Sequence, residues 1–150
     1  MSVYSFGDVS AAFNGPSGSF QLGSGAGAAE EGISIEQIDD GNTLLVGAGG
    51  EGMHSQSLNT SSTWTVRLLK TSPVNAQLMD AYNAQRANSG LYGRNQITLR
   101  SVYQGDLVVG RQMAFTKAPN LNYAKEGGTN EWVFTAAQTA YKLGTGQPEA

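Results

Sequence analysis

Cysteine is absent from the chain, charged residues are few, and no long apolar run occurs. The absence of cysteine excludes disulfide bonds, zinc–thiolate sites and thiol nucleophiles. Charged residues make up 14% of the 150 residues, whereas an ordinary soluble domain has about 25%. No stretch approaches the roughly 20 apolar residues of a membrane-spanning helix, so we expect no membrane insertion by this chain. The length suits a single domain, residues 1–150, with one core.

Basic residues are too few and too scattered to form a nucleic-acid-binding face. Lys and Arg number nine against 12 Asp and Glu, which gives a net charge of −3. Tight binding to nucleic acid normally requires clustered basic side chains. The charge is compatible with a surface past which DNA moves without sticking. The segment Met1–Phe6 lacks the basic and apolar parts of a signal peptide, so we expect synthesis in a cytoplasm.

Residues typical of catalytic and metal sites are missing as well. His54 is the sole histidine and has no cysteine or second histidine with which to bind a metal. No Gly-x-Ser-x-Gly segment follows a predicted strand. The glycine runs at 23–27 and 47–52 are not followed by Gly-Lys-Ser/Thr, so they do not match phosphate-binding loops. We therefore predict no catalytic, cofactor-binding or metal-binding residues and no cofactor, and we interpret the chain as a non-enzyme.

Glycine-rich turns between short apolar segments predict a fold made mostly of strands. Glycine accounts for 20 of the 150 residues, about twice its usual share of roughly 7%. Gly15-Pro16-Ser17-Gly18 is a strong turn signal and predicts an early hairpin over about residues 3–22. The small-residue segment that follows predicts a mobile loop at 23–32, and residues 144–150 are expected to form a frayed C-terminal tail.

A single helix is predicted among the strands. Ser72 and Pro73 are typical of a helix start and Gly90 of a helix end, which predicts a helix over about residues 72–88. No alternation of strands and helices suggests a parallel sheet. The expected fold class is therefore all-β with one α-helix, in which two packed antiparallel sheets form a small sandwich or barrel.

Two strand patterns give detailed expectations. Asp39-Asp40-Gly41-Asn42 predicts a tight turn that pairs residues 33–38 with residues 43–46. The alternation in 107–117 places four apolar side chains on one face of a strand: Leu107, Val109, Met113 and Phe115.

The last predicted strand, residues 129–142, is apolar on both faces. Trp132 and Phe134 point to one side, and Val133 and Tyr141 to the other. A strand with one face in water alternates apolar with polar residues. Since no helix pattern is available to cover the second face, we expect Val133 and Tyr141 to meet a neighbouring element or another copy of the chain.

An acidic group occurs between the early hairpin and residue 40. Its members are Glu30, Glu31, Glu36, Asp39 and Asp40. These carboxylates can simply be a solvated loop and strand face. In a symmetric ring, they would instead be repeated around an inner wall or an interface. The sequence leaves both interpretations open.

The order of several short segments carries a family resemblance. Gly15-Pro16-Ser17-Gly18-Ser19-Phe20 comes first, followed by Glu30-Glu31-Gly32-Ile33. Gly50-Glu51-Gly52-Met53-His54-Ser55 and the segment 66–75 come next in order. From about Tyr4 to Leu143, the sequence resembles the tail tube proteins of contractile-tailed bacteriophages, which are similar in fold to the tube proteins of type VI secretion.

The resemblance implies an assembly. Six subunits form a ring with a continuous inner β-barrel, and rings stack into a hollow tube through which DNA passes during ejection. Expected partners are further copies of the chain, the tail sheath, and the baseplate and tail terminator proteins. The expected location is the virion tail, after synthesis in the cytoplasm of a bacterial host.

By position in the chain, the resemblance implies that segments 9–22, 23–29 and 39–51 bridge adjacent rings. The candidates for contacts between subunits or rings are Phe13, Phe20, Gly23, Gly25, Gly27, Asp40, Glu51, Val133 and Tyr141. The candidates for charges on the lumen wall are Glu30, Glu31, Glu36 and Asp39.

Two alternatives remain open from the sequence. One is the tube subunit of a type VI secretion-like system or of a tailocin. The other is a jelly-roll carbohydrate-binding module whose platform would be built from Tyr92, Tyr103, Tyr123 and Trp132.

Overall fold

The computed structural model describes residues 9–16, 18–22, 28–38, 40–101, 105–121, 123, 125 and 128–144, without the side chains of 28–31. The strands in this part are β1 (Val9–Gly15), β2 (Gly18–Gln21), β3 (Ala28–Gln37), β4 (Asn42–Val46), β5 (Gly52–Gln56), β6 (Ser62–Leu69), β7 (Asn95–Ser101), β8 (Asp106–Phe115) and β9 (Thr129–Lys142). Helix α1 spans Val74–Ala87, and a short 3₁₀ turn follows at Ser89–Leu91.

Seven strands form one large antiparallel sheet in the order β2-β1-β7-β8-β9-β6-β3. The sheet is strongly curled. Phe13 on β1 and Phe134 on β9 have ring centroids 6.0 Å apart, although three strand spacings would separate these strands by about 14 Å in a flat sheet. Curling therefore brings distant strands together around the core on the concave side.

Helix α1 packs on that core with an apolar stripe. Val74, Leu78 and Ala81 are buried, and Tyr82 meets Phe115 edge to face with ring centroids 5.6 Å apart. At the helix start, the Ser72 hydroxyl accepts a hydrogen bond from the Val74 N–H at 3.3 Å. The sequence prediction of one helix at about 72–88 is confirmed.

A bulge on β8 changes which residues face the core. Asn95 on β7 is opposite Met113, but Ile97 is opposite Gly110, so β8 has one extra residue here. Gln112 at this point adopts a φ of 52°, in the left-handed region. Val108 is consequently buried with Met113 and Phe115. The expected placement of Leu107 and Val109 on the core face is wrong, because the bulge reverses the alternation.

The small sheet consists of β4 and β5 alone. Leu44 pairs with His54, Leu45 with Met53 and Val46 with Gly52. The turn of this hairpin is the glycine-rich segment 47–51, where the Gly47 N–H donates to the Glu51 carbonyl at 2.7 Å. The expectation that residues 43–46 pair back on 33–38 is therefore wrong, and Asp40-Gly41 belongs to a connection between the two sheets. Residues 43–46 pair instead with 52–56 across the glycine-rich turn, and the second edge of β3 stays open.

The predicted fold class, mostly β with one helix, is confirmed, and the large sheet is not closed into a barrel. One curled sheet supplies the layers that enclose the core. Residues 28–32, which the sequence assigns to a loop, form the first half of β3. Gly32 there has a φ of 62° beside a register shift between Ala28 and Ile33. Residues 1–8, 23–27 and 145–150, on which parts of the predicted hairpin, loop and tail fall, lie outside the described residues.

Candidate assembly surfaces

The hairpin β4–β5 is an apolar element without cover in the described structure. Every residue of both strands is exposed. Leu44, Leu45, Val46 and Met53 are each more than half exposed, at 54%, 62%, 59% and 57%. Since neighbouring strand residues point to opposite faces, both faces of the hairpin present large apolar side chains. Scattered single apolar residues are normal on a protein surface, but a contiguous patch indicates an interaction site.

The large sheet offers two edges and one open face. Its edge strands are β2 and β3, and an edge strand carries unpaired backbone groups that can bond to another strand. The face turned away from the core bears mainly small and hydroxyl side chains: Ser10, Ala12, Ser34, Thr63, Thr65, Thr98, Ala114, Val133 and Thr135. This face is called the convex face below.

The charges described on the convex face nearly balance. Glu36 is exposed on β3, opposite Thr63. Arg67 and Glu131 form an ion pair across β6 and β9, with Nε and Oε2 3.4 Å apart. Arg100 is exposed on β7. Lys142 on β9 shares this face, since it pairs with Leu107, which pairs with Arg100. Three basic and two acidic side chains thus occupy this face among the residues whose side chains the structure describes.

Of the four predicted lumen charges, only the side chain of Glu36 is described. Glu30 and Glu31 belong to β3, but their side chains are not described, and Asp39 lies outside the described residues. Gly23, Gly25 and Gly27 among the contact candidates also lie outside them. The arrangement of the acidic group as a set therefore lies outside the described residues.

The other contact candidates differ in how far they can reach a neighbour. Asp40 and Glu51 are exposed. Tyr141 is 48% exposed, and Val133 is half-buried on the convex face. Phe13 is fully buried and stacks on Phe20 with ring centroids 4.8 Å apart. A second copy could contact the partly exposed Phe20 more readily than Phe13.

The aromatic platform of a carbohydrate-binding module does not form from the expected residues. Trp132 is 1% exposed, and its indole N–H donates to Asn75 Oδ1 at 3.0 Å. Tyr103 lies outside the described residues. Tyr92 and Tyr123 are exposed. With Trp132 in the core, this interpretation loses its central residue.

Metal and membrane sites have no support in the described residues. No group of three or more His, Cys, Asp or Glu side chains there is arranged to hold a metal ion. None of the helical segments within the described ranges is long and apolar enough to cross a membrane.

The sequence placed segment 39–51 among the candidate ring contacts, but it did not identify a hairpin with residues 52–56 or its exposed apolar side chains. The segment Thr43-Leu-Leu-Val46 is apolar without alternation, which is typical of a buried strand. The sequence did carry a signal for a separate short strand. The turn-forming pair Asp40-Gly41 precedes it, and the glycine-rich segment 47–52 follows it. The apolar residues that the candidate list omits are Leu44, Leu45, Val46 and Met53.

Comparisons with known proteins agree with one another. A family model described as the bacteriophage PhiTE tail tube protein matches residues 1–144. No curated protein is a significant sequence match. The fold is similar to the sheath/tube terminator of an extracellular contractile injection system (PVC) in its extended state, with a TM-score of 0.59 and 12% identity over 89% of this chain and 92% of that chain.

Two further solved structures have similar folds. The sheath–tube complex of the PVC system gives a TM-score of 0.55 at 12% identity, covering 89% of this chain and 88% of that chain. The tube-terminating cap of the anti-feeding prophage gives 0.55 at 9% identity, covering 95% and 92%. At these identities, the likeness concerns the fold.

Proposed function

The chain belongs to the bacteriophage tail tube family, whose model matches residues 1–144, and on that premise we propose that copies of it form hexameric rings that stack into a hollow tube. The family is one of structural tail proteins, so the protein has a structural role in the tail. In the proposal, a contractile sheath surrounds the tube, and baseplate and terminator proteins bind its ends. DNA passes through the lumen during ejection. Synthesis takes place in the cytoplasm of the bacterial host.

The observation that carries the proposal is the exposed hairpin β4–β5. An isolated two-stranded hairpin is marginally stable in water, and this one presents large apolar side chains on both faces. Docking between two neighbouring copies would remove both faces from water at once. A contact of this kind, made between different patches of identical chains, generates an open filament unless the rotation closes into a ring.

The open edges of the large sheet supply the second contact. We assign ring closure to backbone pairing between β3 of one copy and the β2 edge of the next. Such pairing would satisfy unpaired N–H and C=O groups and remove both edges. Phe20 on β2 lies at that junction, whereas Val133 and Tyr141 on β9 lie inside the sheet, away from it.

The part of the convex face formed by β3, β6 and residues 129–136 of β9 is assigned to the channel wall. Its hydroxyl and small side chains offer DNA few charged contacts, and Glu36 adds one negative charge per copy. Glu30, Glu31 and Asp39 remain proposed lumen charges on grounds of sequence position alone. A wall without clustered basic residues would not hold phosphates, so duplex DNA could slide. Assembled tubes are expected to retain no duplex DNA at physiological salt.

Electron microscopy of the purified protein tests the proposal. We expect six-fold rings or tubes at high concentration, and a double variant L45S/M53S that folds but does not assemble. These two side chains are cross-strand partners, and removing their apolar contacts should raise the critical concentration for tube formation at least about tenfold. The matched control is Tyr92→Ser, which removes a 50% exposed side chain outside the hairpin.

Three results would contradict the proposal. The first is a wild-type protein that stays monomeric at high concentration. The second is normal tube growth by L45S/M53S. The third is loss of assembly in both L45S/M53S and Tyr92→Ser, which would indicate a general effect of exposed-residue changes. Thermal unfolding of each variant, expected within about 2 °C of the wild type, checks that the subunit still folds.

A second candidate is the tube of a tail-like injection particle. It is supported by the fold similarity to an extracellular contractile injection system and to the anti-feeding prophage cap. Particles isolated from the producing cells distinguish the two. Tubes attached to genome-filled heads support the phage tail, and tubes in headless particles support the alternative.

A further inference from the structure

A polar cavity of about 340 Å³ opens where Arg111 of β8 meets residues 137–140 of β9, next to the bulge that β8 forms against β7. Arg111, Gln138, Asn59 and Thr60 supply polar groups to its lining. At the base of the hairpin β4–β5, the Ser57 N–H donates to the Gly41 carbonyl at 3.0 Å. Asn59 and Thr60 follow Ser57 closely in the chain, so the cavity that they line lies near this base.

Arg111 is the one charged residue that lines this cavity. It is exposed, and its side chain makes no hydrogen bond or ion pair with any residue that the structure describes. The neighbouring Gln112 holds the left-handed φ of 52°, and a bulge of this kind redirects the side chains around it. Non-glycine residues rarely adopt this conformation, and strained positions cluster where a side chain is held for function.

Glu51, at the far end of the hairpin, carries a charge opposite to that of Arg111. It is exposed, and its carboxylate has no partner among the described residues, while its backbone closes the turn with Gly47. Val46 and Met53 flank it, both more than half exposed. An acid set among apolar side chains therefore stands at the tip.

The rim of the cavity matches this arrangement. Leu58 is 89% exposed at its edge, and Ala137 and Ala140 are exposed beside it. Arg111 is thus an exposed basic residue among apolar side chains, and Glu51 is an exposed acidic residue in the same kind of setting. Complementary charge fixes the register of an interface, and apolar contact around it supplies affinity.

Glu51 and Arg111 of the same chain form no ion pair among the described residues. Each hairpin strand has five residues, and at about 3.4 Å per residue the tip lies about 17 Å from the base, beside which the cavity opens. Because every strand residue is exposed, the hairpin does not fold back over the sheet. We propose that Glu51 of one copy enters the cavity of a second copy and pairs with its Arg111, an inference that rests on the proposed self-assembly.

Charge reversal tests the pairing. Arg111→Glu and Glu51→Arg are each expected to raise the critical concentration for tube assembly about tenfold or more, since both create a like-charge contact. The double variant E51R/R111E restores an opposite-charge pair and is expected to return to within about threefold of the wild type. All changes are at exposed positions, so the thermal unfolding midpoints should not change.

Matched controls are Asp40→Arg, an exposed acid beside the hairpin base, and Arg94→Glu, an exposed base before β7. Combining either control with Arg111→Glu or with Glu51→Arg should not restore tube assembly. Folded single variants that assemble like the wild type, or a double variant that remains defective, would contradict the pairing while leaving wild-type tubes as support for the proposed function. A wild-type protein that forms no tubes contradicts both.

Discussion

The side chain of Gln85 completes the backbone hydrogen bonding of Phe115. Its Oε1 accepts from the Phe115 N–H at 3.2 Å, and its Nε2 donates towards the Phe115 carbonyl at 3.4 Å. On this side of β8, strand β7 extends only as far as the residue opposite Met113, so it supplies no backbone partner for Phe115. A helix side chain therefore takes the place of a missing strand and fixes α1 to the large sheet.

We expect Gln85→Met to lower the free energy of unfolding by about 2 kcal/mol, because a buried N–H and C=O would lose their partners while the volume is kept. For a chain of this length the unfolding midpoint should fall by about 4–8 °C. Thermal unfolding followed by circular dichroism measures this. Gln77→Met, at an exposed position of the same helix, is the control and should unfold like the wild type. Equal midpoints for the two variants would contradict the assigned role.

A second polar contact joins the helix start to the last strand. Asn75 Oδ1 accepts from the Trp132 indole, and Asn75 Nδ2 donates to the carbonyls of Leu69 and Ser72 at 2.9 and 3.2 Å. Asn75→Ala is expected to destabilise by about 2–3 kcal/mol, since it orphans the buried indole N–H. Asn75→Asp keeps the acceptor for the indole and should lose less. Urea unfolding followed by tryptophan fluorescence measures both, and the reverse order would contradict the assignment.

Gly110 is needed because Trp64 packs directly over its backbone. A Cβ at Gly110 would lie 2.9 Å from Trp64 Cζ2 and 2.9 Å from Met113 Sδ. Gly110→Ala should therefore overpack the core and destabilise by about 1–3 kcal/mol. Gly49→Ala in the hairpin turn is the control, since nothing lies within 4 Å of a Cβ there. Denaturant unfolding compares the two, and a neutral G110A would show that the core can relax around the added methyl group.

The strained bulge gives a prediction of opposite sign. Gln112→Gly should raise the free energy of unfolding by up to about 1 kcal/mol, because glycine accepts the left-handed φ of 52° without strain. Gln138→Gly is the control, as Gln138 is exposed on the paired strand opposite Arg111, and it should lower the free energy by about 0.5–1 kcal/mol. Destabilisation by both variants would argue against stored strain at Gln112.

The features that could be predicted from the sequence are those that depend on residues close together in the chain. The helix was predicted because Ser72, Pro73 and the spacing of Val74 and Leu78 are local signals. The face pattern of β9 up to Ala136 was also predicted, since Trp132 and Phe134 alternate strictly and are buried. Each of these features depends on residues a few positions apart.

Features that depend on strand pairing escaped the sequence. The residue with positive φ in the bulge is Gln112 and not a glycine, so the sequence gives no signal of the bulge. Leu107 and Val109 were therefore placed on the wrong face. The partner of β4 was misassigned because Asp39-Asp40-Gly41-Asn42 and the segment 47–52 are both good turn formers. The pairing of β4 with β5 decides between them, and it is not visible in the local sequence. The sequence-based site therefore included segment 39–51 but neither its β5 partner nor the cavity at Arg111.

In the proposed assembly, the exposed hairpin would also govern when growth starts. A first encounter between two free copies would bury one hairpin while still losing the rotational and translational freedom of a whole subunit. The end of an existing stack would offer several contact surfaces at once. Spontaneous nucleation would then be slow relative to elongation, and a preformed template would decide where and when subunits begin to polymerise.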